Sequence, residues 1–105
     1  MLRGDLTATA DGGVTFAFTV ENAGDEPVSL TFSDAARADF VVDDERWRWS
    51  DGRLFAQVLG EETLAPGESR TYEAEWPDPD PGTHEARAEL LAREHDCEAR
   101  TRFEI

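Results

Sequence analysis

Two strands separated by a turn are visible in residues 14–32, VTFAFTVENAGDEPVSLTF. Apolar side chains occupy every second position before and after the segment NAGDEP (residues 22–27), as expected for strands with one buried face. Gly24 can adopt a positive φ, and Pro27 fixes the direction in which the chain leaves the turn. The pattern predicts two half-buried strands that form a hairpin-like unit.

Similar alternation recurs along the rest of the chain. Trp47 and Trp49 are two positions apart, so an extended segment directs both indoles to one face, where packing in the core is favoured over an exposed binding platform. Residues 54–59 fit a helical stripe but are too short for a helix, which favours a strand. The three prolines of residues 77–82 lack N–H donors and predict an exposed loop. Other predicted strands lie at residues 2–10, 40–42, 72–76, 84–90 and 99–105.

The strand count and the length together indicate the fold class. About seven or eight strands in about 100 residues are typical of an immunoglobulin-like antiparallel β-sandwich. No repeat, linker or low-complexity tract divides the chain. We therefore expect an all-β fold, with one domain over residues 1–105.

The composition is strongly acidic. The chain has 24 acidic residues and ten basic ones, all of them arginine, which gives a formal net charge of −14 at pH 7. This charge repels phosphate backbones and anionic membranes, so nucleic-acid and membrane binding are disfavoured. A lysine-free acidic surface is typical of a halophilic protein from a salt-loaded cytoplasm, as in haloarchaea.

Other features predict a soluble, cytoplasmic protein. The first residues carry no apolar run that would serve as a signal peptide, and no stretch approaches the length of a membrane span. The single cysteine, Cys97, excludes an internal disulfide and fits a reducing interior.

Catalytic and metal-binding patterns are weak. The carboxylates of residues 43–45 and of Asp78 and Asp80 are conceivable calcium ligands, but they lack the EF-hand spacing and are better explained as solvated charge. Adjacent His95, Asp96 and Cys97 are not the spatially convergent arrangement that thiol catalysis needs. No zinc-ligand spacing, nucleophile elbow or phosphate-binding glycine loop is present. We expect neither enzymatic activity nor a cofactor.

Several segments follow one another in a recognisable order: residues 19–32, 39–42, 47–52 leading to Phe55, 62–69, Trp76 and 81–83. In this order they resemble the Bacillus intracellular proteinase inhibitor family, BsuPI. The resemblance implies a compact β-sandwich that inhibits cytoplasmic serine proteinases of the subtilisin type, and the composition would make this chain a haloarchaeal member. His84 departs from the family pattern, which suggests an aromatic residue there.

An inhibitor needs an exposed, preorganised loop that enters the proteinase cleft. A tight turn flanked by tryptophans precedes three side chains suited to such a cleft, so the favoured contact loop comprises Ser50, Asp51, Gly52, Arg53, Leu54 and Phe55. The loops at residues 33–39 and 77–82 are alternatives, although the latter offers mainly aspartates. We expect a monomer that binds an intracellular serine proteinase. The competing hypothesis is an interaction module of another kind, without inhibitory activity.

The charge predicts a salt-dependent stability. Since the Debye length falls from about 10 Å at 0.1 M salt to about 3 Å at 1 M, salt screens the repulsion among surface carboxylates. The midpoint of thermal unfolding should therefore rise markedly between about 0.1 M and about 2 M KCl, as followed by circular dichroism. A midpoint that does not change with salt would contradict the halophilic interpretation.

Overall fold

A computed structural model describes the whole chain, residues 1–105, and consists of strands and loops without a helix. The all-β prediction is confirmed, with nine strands instead of seven or eight. No helix is present with the length and apolar character needed to cross a bilayer. The strands are β1 (Leu2–Ala10), β2 (Val14–Asn22), β3 (Val28–Phe32), β4 (Ala38–Val42), β5 (Trp47–Arg48), β6 (Gly60–Leu64), β7 (Ser69–Trp76), β8 (Thr83–Leu90) and β9 (Glu98–Glu104).

The strands form three antiparallel sheets in a compact, sandwich-like arrangement. One sheet has the order β1-β2-β7, a second pairs β3 with β6, and the third has the order β5-β4-β8-β9. The predicted hairpin-like unit of residues 14–32 is wrong, because β2 and β3 belong to different sheets.

Asn22 explains why the chain changes sheets at this turn. Its side chain is fully buried, and its amide donates to the carbonyl of Glu26 at 2.7 Å and to that of Leu64 at 2.9 Å. The side-chain oxygen of Asn22 accepts a hydrogen bond from the N–H of Gly24 at 3.0 Å. These bonds hold the turn against the end of β6, where β3 finds its partner strand.

Aromatic rings join the two larger sheets. Phe16 of β2 is fully buried, and its ring centroid lies 6.2 Å from that of Phe40, 6.0 Å from Trp47 and 5.6 Å from Phe103. The core packing predicted for the tryptophans is confirmed: Trp76 is buried, whereas Trp47 and Trp49 are half-buried and packed against the core. This cluster fixes the positions of β4 and β5, and hence of the loops that leave them.

The sheets also approach closely where β1 passes β9. A Cβ atom added at Gly4 would lie 3.0 Å from the Sγ of Cys97 and 3.2 Å from the carbonyl oxygen of Glu98, so only glycine fits without a shift. Cys97 is buried there, and this burial raises the pKa of its thiol. The cysteine is therefore a packing residue with little thiolate character.

The strand predicted for residues 54–59 is wrong. Residues 53–59 belong to no strand, turn or helix, and the next strand begins at Gly60, opposite Phe32 of β3. Positions 54, 55, 58 and 59 are apolar, but they do not alternate, so no single strand face would bury them together. The segment is an irregular loop on the surface.

Candidate functional site

Exposed apolar side chains are concentrated in residues 53–59, which we call the apolar loop. Leu54 is 100% exposed, Leu59 70% and Val58 63%. The only other exposed large apolar residues are Met1 and Ile105, the first and last residues of the chain. A group of exposed apolar side chains is typical of a surface that binds another protein. The apolar loop is therefore the candidate functional site.

Trp49 holds the start of the apolar loop. The guanidinium of Arg53 lies 4.7 Å from the centre of the Trp49 ring, and its Nε donates to the Trp49 carbonyl at 2.5 Å. The Phe55 ring lies 5.4 Å from the same indole. The Trp49 ring packs on that of the buried Phe40, with centroids 6.3 Å apart, and the backbone N–H of Trp49 donates to the Phe40 carbonyl at 2.9 Å. The loop is thus fixed through one side chain to the aromatic core.

The residues before the loop are fixed by a buried carboxylate. Oδ2 of Asp39 accepts hydrogen bonds from Arg48 at 2.7 Å and from the Ser50 hydroxyl at 2.8 Å, while Oδ1 accepts from the N–H of Phe40 at 2.9 Å. Gly52 follows in an exposed turn with φ 75°. Hydrogen bonds to Glu45 and Asp39 raise the pKa of Arg48, which stays charged at this position.

The six residues predicted as a contact loop therefore lie together but have different surroundings. Ser50 is bonded to Asp39, and Arg53 and Phe55 lie against Trp49. Asp51 and Gly52 are exposed in the turn, and Leu54 projects into solvent. The prediction did not include Val58 and Leu59, because the predicted contact loop ended at Phe55. Their failure to alternate was the signal that could have revealed this loop.

The alternative loop at residues 33–39 lies beside the apolar loop. The N–H of Ala35 donates to the carbonyl of Ala56 at 2.9 Å, and Arg37 pairs with Glu62 at 3.0 Å. Ala38 and Asp39, the last two residues of the predicted loop, already belong to β4. Since about 20 residues separate Ala35 from Ala56, no sequence pattern showed that the two loops are neighbours.

A groove of about 310 Å³ adjoins these loops and is lined by Phe40, Trp49 and Tyr72, among others. The Tyr72 hydroxyl donates to Glu62 at 3.1 Å. Burial and the neighbouring Glu62 carboxylate raise the pKa of Tyr72, so its phenol stays protonated. Arg37 and Glu73 also line the groove, so its surface is partly apolar and partly charged.

The loop at residues 77–82 lies at the other end of β4, next to a buried histidine. The Nδ1 of His84 lies 2.6 Å from Oδ2 of Asp43, and its Nε2 lies 2.7 Å from the carbonyl oxygen of Asp80. The His84 ring also packs on Trp76 and Phe103, with centroids 5.1 and 5.5 Å away. A carbonyl and a carboxylate only accept, so the imidazolium form, with two N–H donors, satisfies both contacts.

The acidic turn at residues 43–45 is strained and is held by this histidine. Asp43, Asp44 and Glu45 have φ values of 49°, 52° and 90°, a region that non-glycine residues rarely adopt. Asp43 accepts hydrogen bonds from His84 and from the N–H of Glu85 at 2.9 Å, and both lower its pKa. No group of three or more histidine, cysteine or acidic side chains could hold a metal ion. The carboxylate of Asp43 serves the fold in this arrangement.

Comparison with protein-family models matches residues 2–95 to BsuPI, described as intracellular proteinase inhibitor. The matched region contains the apolar loop, the groove beside it and His84 with its partners Asp43 and Asp80, whereas β9 lies outside it. No curated protein matches the chain.

The contacts of His84 with Asp43 and Asp80 lead us to expect that the stability of the fold depends on pH. Hydrogen bonds to Asp43 and Asp80 raise the pKa of His84 above its ordinary value of about 6.5. The stabilisation by the hydrogen bonds of protonated His84 is therefore complete below about pH 6.5. It is lost as the pH rises through the pKa that His84 has in the folded protein. His84→Phe keeps a ring between Trp76 and Phe103 but removes both N–H donors. Denaturant unfolding from about pH 6 to about pH 9 should show a smaller loss of stability in this variant than in the wild type.

The other histidine provides the control. His95→Gln leaves the Asp43–His84 contact intact and should keep the wild-type dependence on pH. If His84→Phe lost as much stability with rising pH as the wild type, another group would carry the effect.

Proposed function

We propose, from the premise that this chain belongs to the BsuPI family of intracellular proteinase inhibitors, that it inhibits a serine proteinase of the subtilisin type. In this proposal the apolar loop occupies the active-site cleft of the proteinase. The observation that carries this proposal is the exposure of Leu54, Val58 and Leu59 on a loop fixed to the core. A cleft that binds apolar side chains would remove this surface from water.

Preorganisation of the loop supports inhibition. A flexible segment loses side-chain and backbone freedom when it enters a cleft, and this loss weakens binding. Arg53 and Phe55 are already held against Trp49, and Ala56 is bonded to Ala35. Much of the ordering is therefore complete before the proteinase arrives.

We further propose that the inhibition is reversible and non-covalent and that the protein acts as a monomer without enzymatic activity. The only cysteine, Cys97, is buried and the pKa of its thiol is raised, so this side chain is not available as a nucleophile. The family description and the acidic composition support action in a salt-rich cytoplasm. We also propose that residues 1–105 form one domain.

The inhibition is tested by titration in about 1 M KCl, where the surface charges are screened. The wild-type protein should inhibit a salt-tolerant subtilisin-type proteinase at micromolar concentration. Arg53→Asp removes the cation from the Trp49 ring and loosens the loop, so the inhibition constant should rise by well over tenfold, about 1.4 kcal/mol or more.

The matched control carries the same change of charge at another place. Arg102 is an exposed residue of β9 that forms no ion pair, so Arg102→Asp should inhibit like the wild type. A folded wild-type protein without inhibitory activity would favour the interaction module of another kind. Equal potency of Arg53→Asp and the wild type would move the contact to another loop.

A further inference from the structure

We propose that Leu54 is the residue that enters the primary specificity pocket of the proteinase and that Trp49 is the clamp that presents it. This inference rests on the proposed function and adds the residue that selects among proteinases. It predicts a target whose primary pocket is large and apolar.

The contacts of its two neighbours explain why Leu54 projects into solvent. The chain runs from Arg53 to Ala56 without a turn or a bend. Arg53 and Phe55 both contact the Trp49 indole, at 4.7 and 5.4 Å. Leu54, between them, is directed away from the domain and is 100% exposed. Because Arg53 and Phe55 are both held on the Trp49 ring, they fix the direction of the Leu54 side chain between them.

The backbone at this position is free to pair with a partner. Leu54 and Phe55 take part in no backbone hydrogen bond, whereas the residues on either side are tied. The N–H of Arg53 donates to the Ser50 carbonyl at 3.2 Å, and the Ala56 carbonyl accepts from Ala35 at 2.9 Å. A segment whose main-chain groups are unpaired can hydrogen-bond to the backbone of a partner as an added strand does, while its side chains fill pockets.

The other exposed apolar residues of the loop lack this arrangement. Val58 donates its N–H to the Ala56 carbonyl at 3.0 Å, and Leu59 directly precedes β6. Neither lies between two residues that are held on the same side chain. They are suited to contacts at the rim of the cleft, where they add area without selecting the enzyme.

Exchange of the side chain at residue 54 tests the inference directly. Inhibition constants are measured against two proteinases: one of the subtilisin type, and one of the trypsin type with a carboxylate in its primary pocket. Leu54→Arg should weaken inhibition of the first by about tenfold or more and create inhibition of the second, whereas Leu54→Phe should retain activity against the first. Because Leu54 makes no buried contact, both variants should unfold at the wild-type temperature.

Two further variants separate presentation from selection. Phe55→Ala loosens the clamp and should weaken inhibition of the subtilisin-type enzyme without creating inhibition of the trypsin type. Leu59→Arg places the same cation elsewhere in the apolar loop and should also create none. If the wild-type protein inhibits but Leu54→Arg has the wild-type preference between the two enzymes, the role of Leu54 is overturned while the proposed function stands. A wild-type protein that inhibits neither enzyme overturns the proposed function itself.

Discussion

Contact between aromatic rings across the two larger sheets is the interaction on which the rest of this structure depends. Phe16 of β2 packs on Phe40 of β4 at 6.2 Å, Phe40 on Trp49 at 6.3 Å, and Trp49 on Phe55 at 5.4 Å. A continuous series of rings therefore leads from a fully buried core residue to the exposed apolar loop. Because a close-packed interior permits little displacement, the rings that contact it hold the start of the apolar loop in place. The position of the apolar loop is a consequence of the packing, although none of its exposed side chains belongs to the core.

The strand β4 separates two ends of the molecule that have different chemistry. The apolar loop and the Ala35 contact lie near the start of β4, where apolar side chains face solvent. Past its other end, residues 43–45 have positive φ, and His84 holds them by bonding to the Asp43 carboxylate and to the Asp80 carbonyl of the loop at residues 77–82. Strain of this kind persists only where the surroundings determine the conformation. The buried histidine performs that task with two hydrogen bonds, in a place where an aromatic residue would only fill space.

Local alternation was sufficient to predict most strands, because one buried face imposes a period of two on residues such as Val14, Phe16 and Phe18. It was insufficient wherever distant residues decide the outcome. Asn22 carries the chain to another sheet by bonding to Leu64, and His84 pairs with a carboxylate 41 positions earlier. Leu54, at the centre of the candidate site, was identified from its position after a tight turn. The role of Trp49 as its support required the contacts with Arg53, Phe55 and Phe40.

Amide hydrogen exchange of the protein, alone and bound to a subtilisin-type proteinase inactivated at its catalytic serine, tests the loop contact most directly. The amides of Leu54 and Phe55 have no hydrogen-bond partner in the free protein and should exchange rapidly. In the complex they should become protected, while the amides of residues 77–82 exchange at their free rates. Unchanged exchange at Leu54 and Phe55, with new protection at residues 77–82, would contradict an inhibitor that acts through the apolar loop.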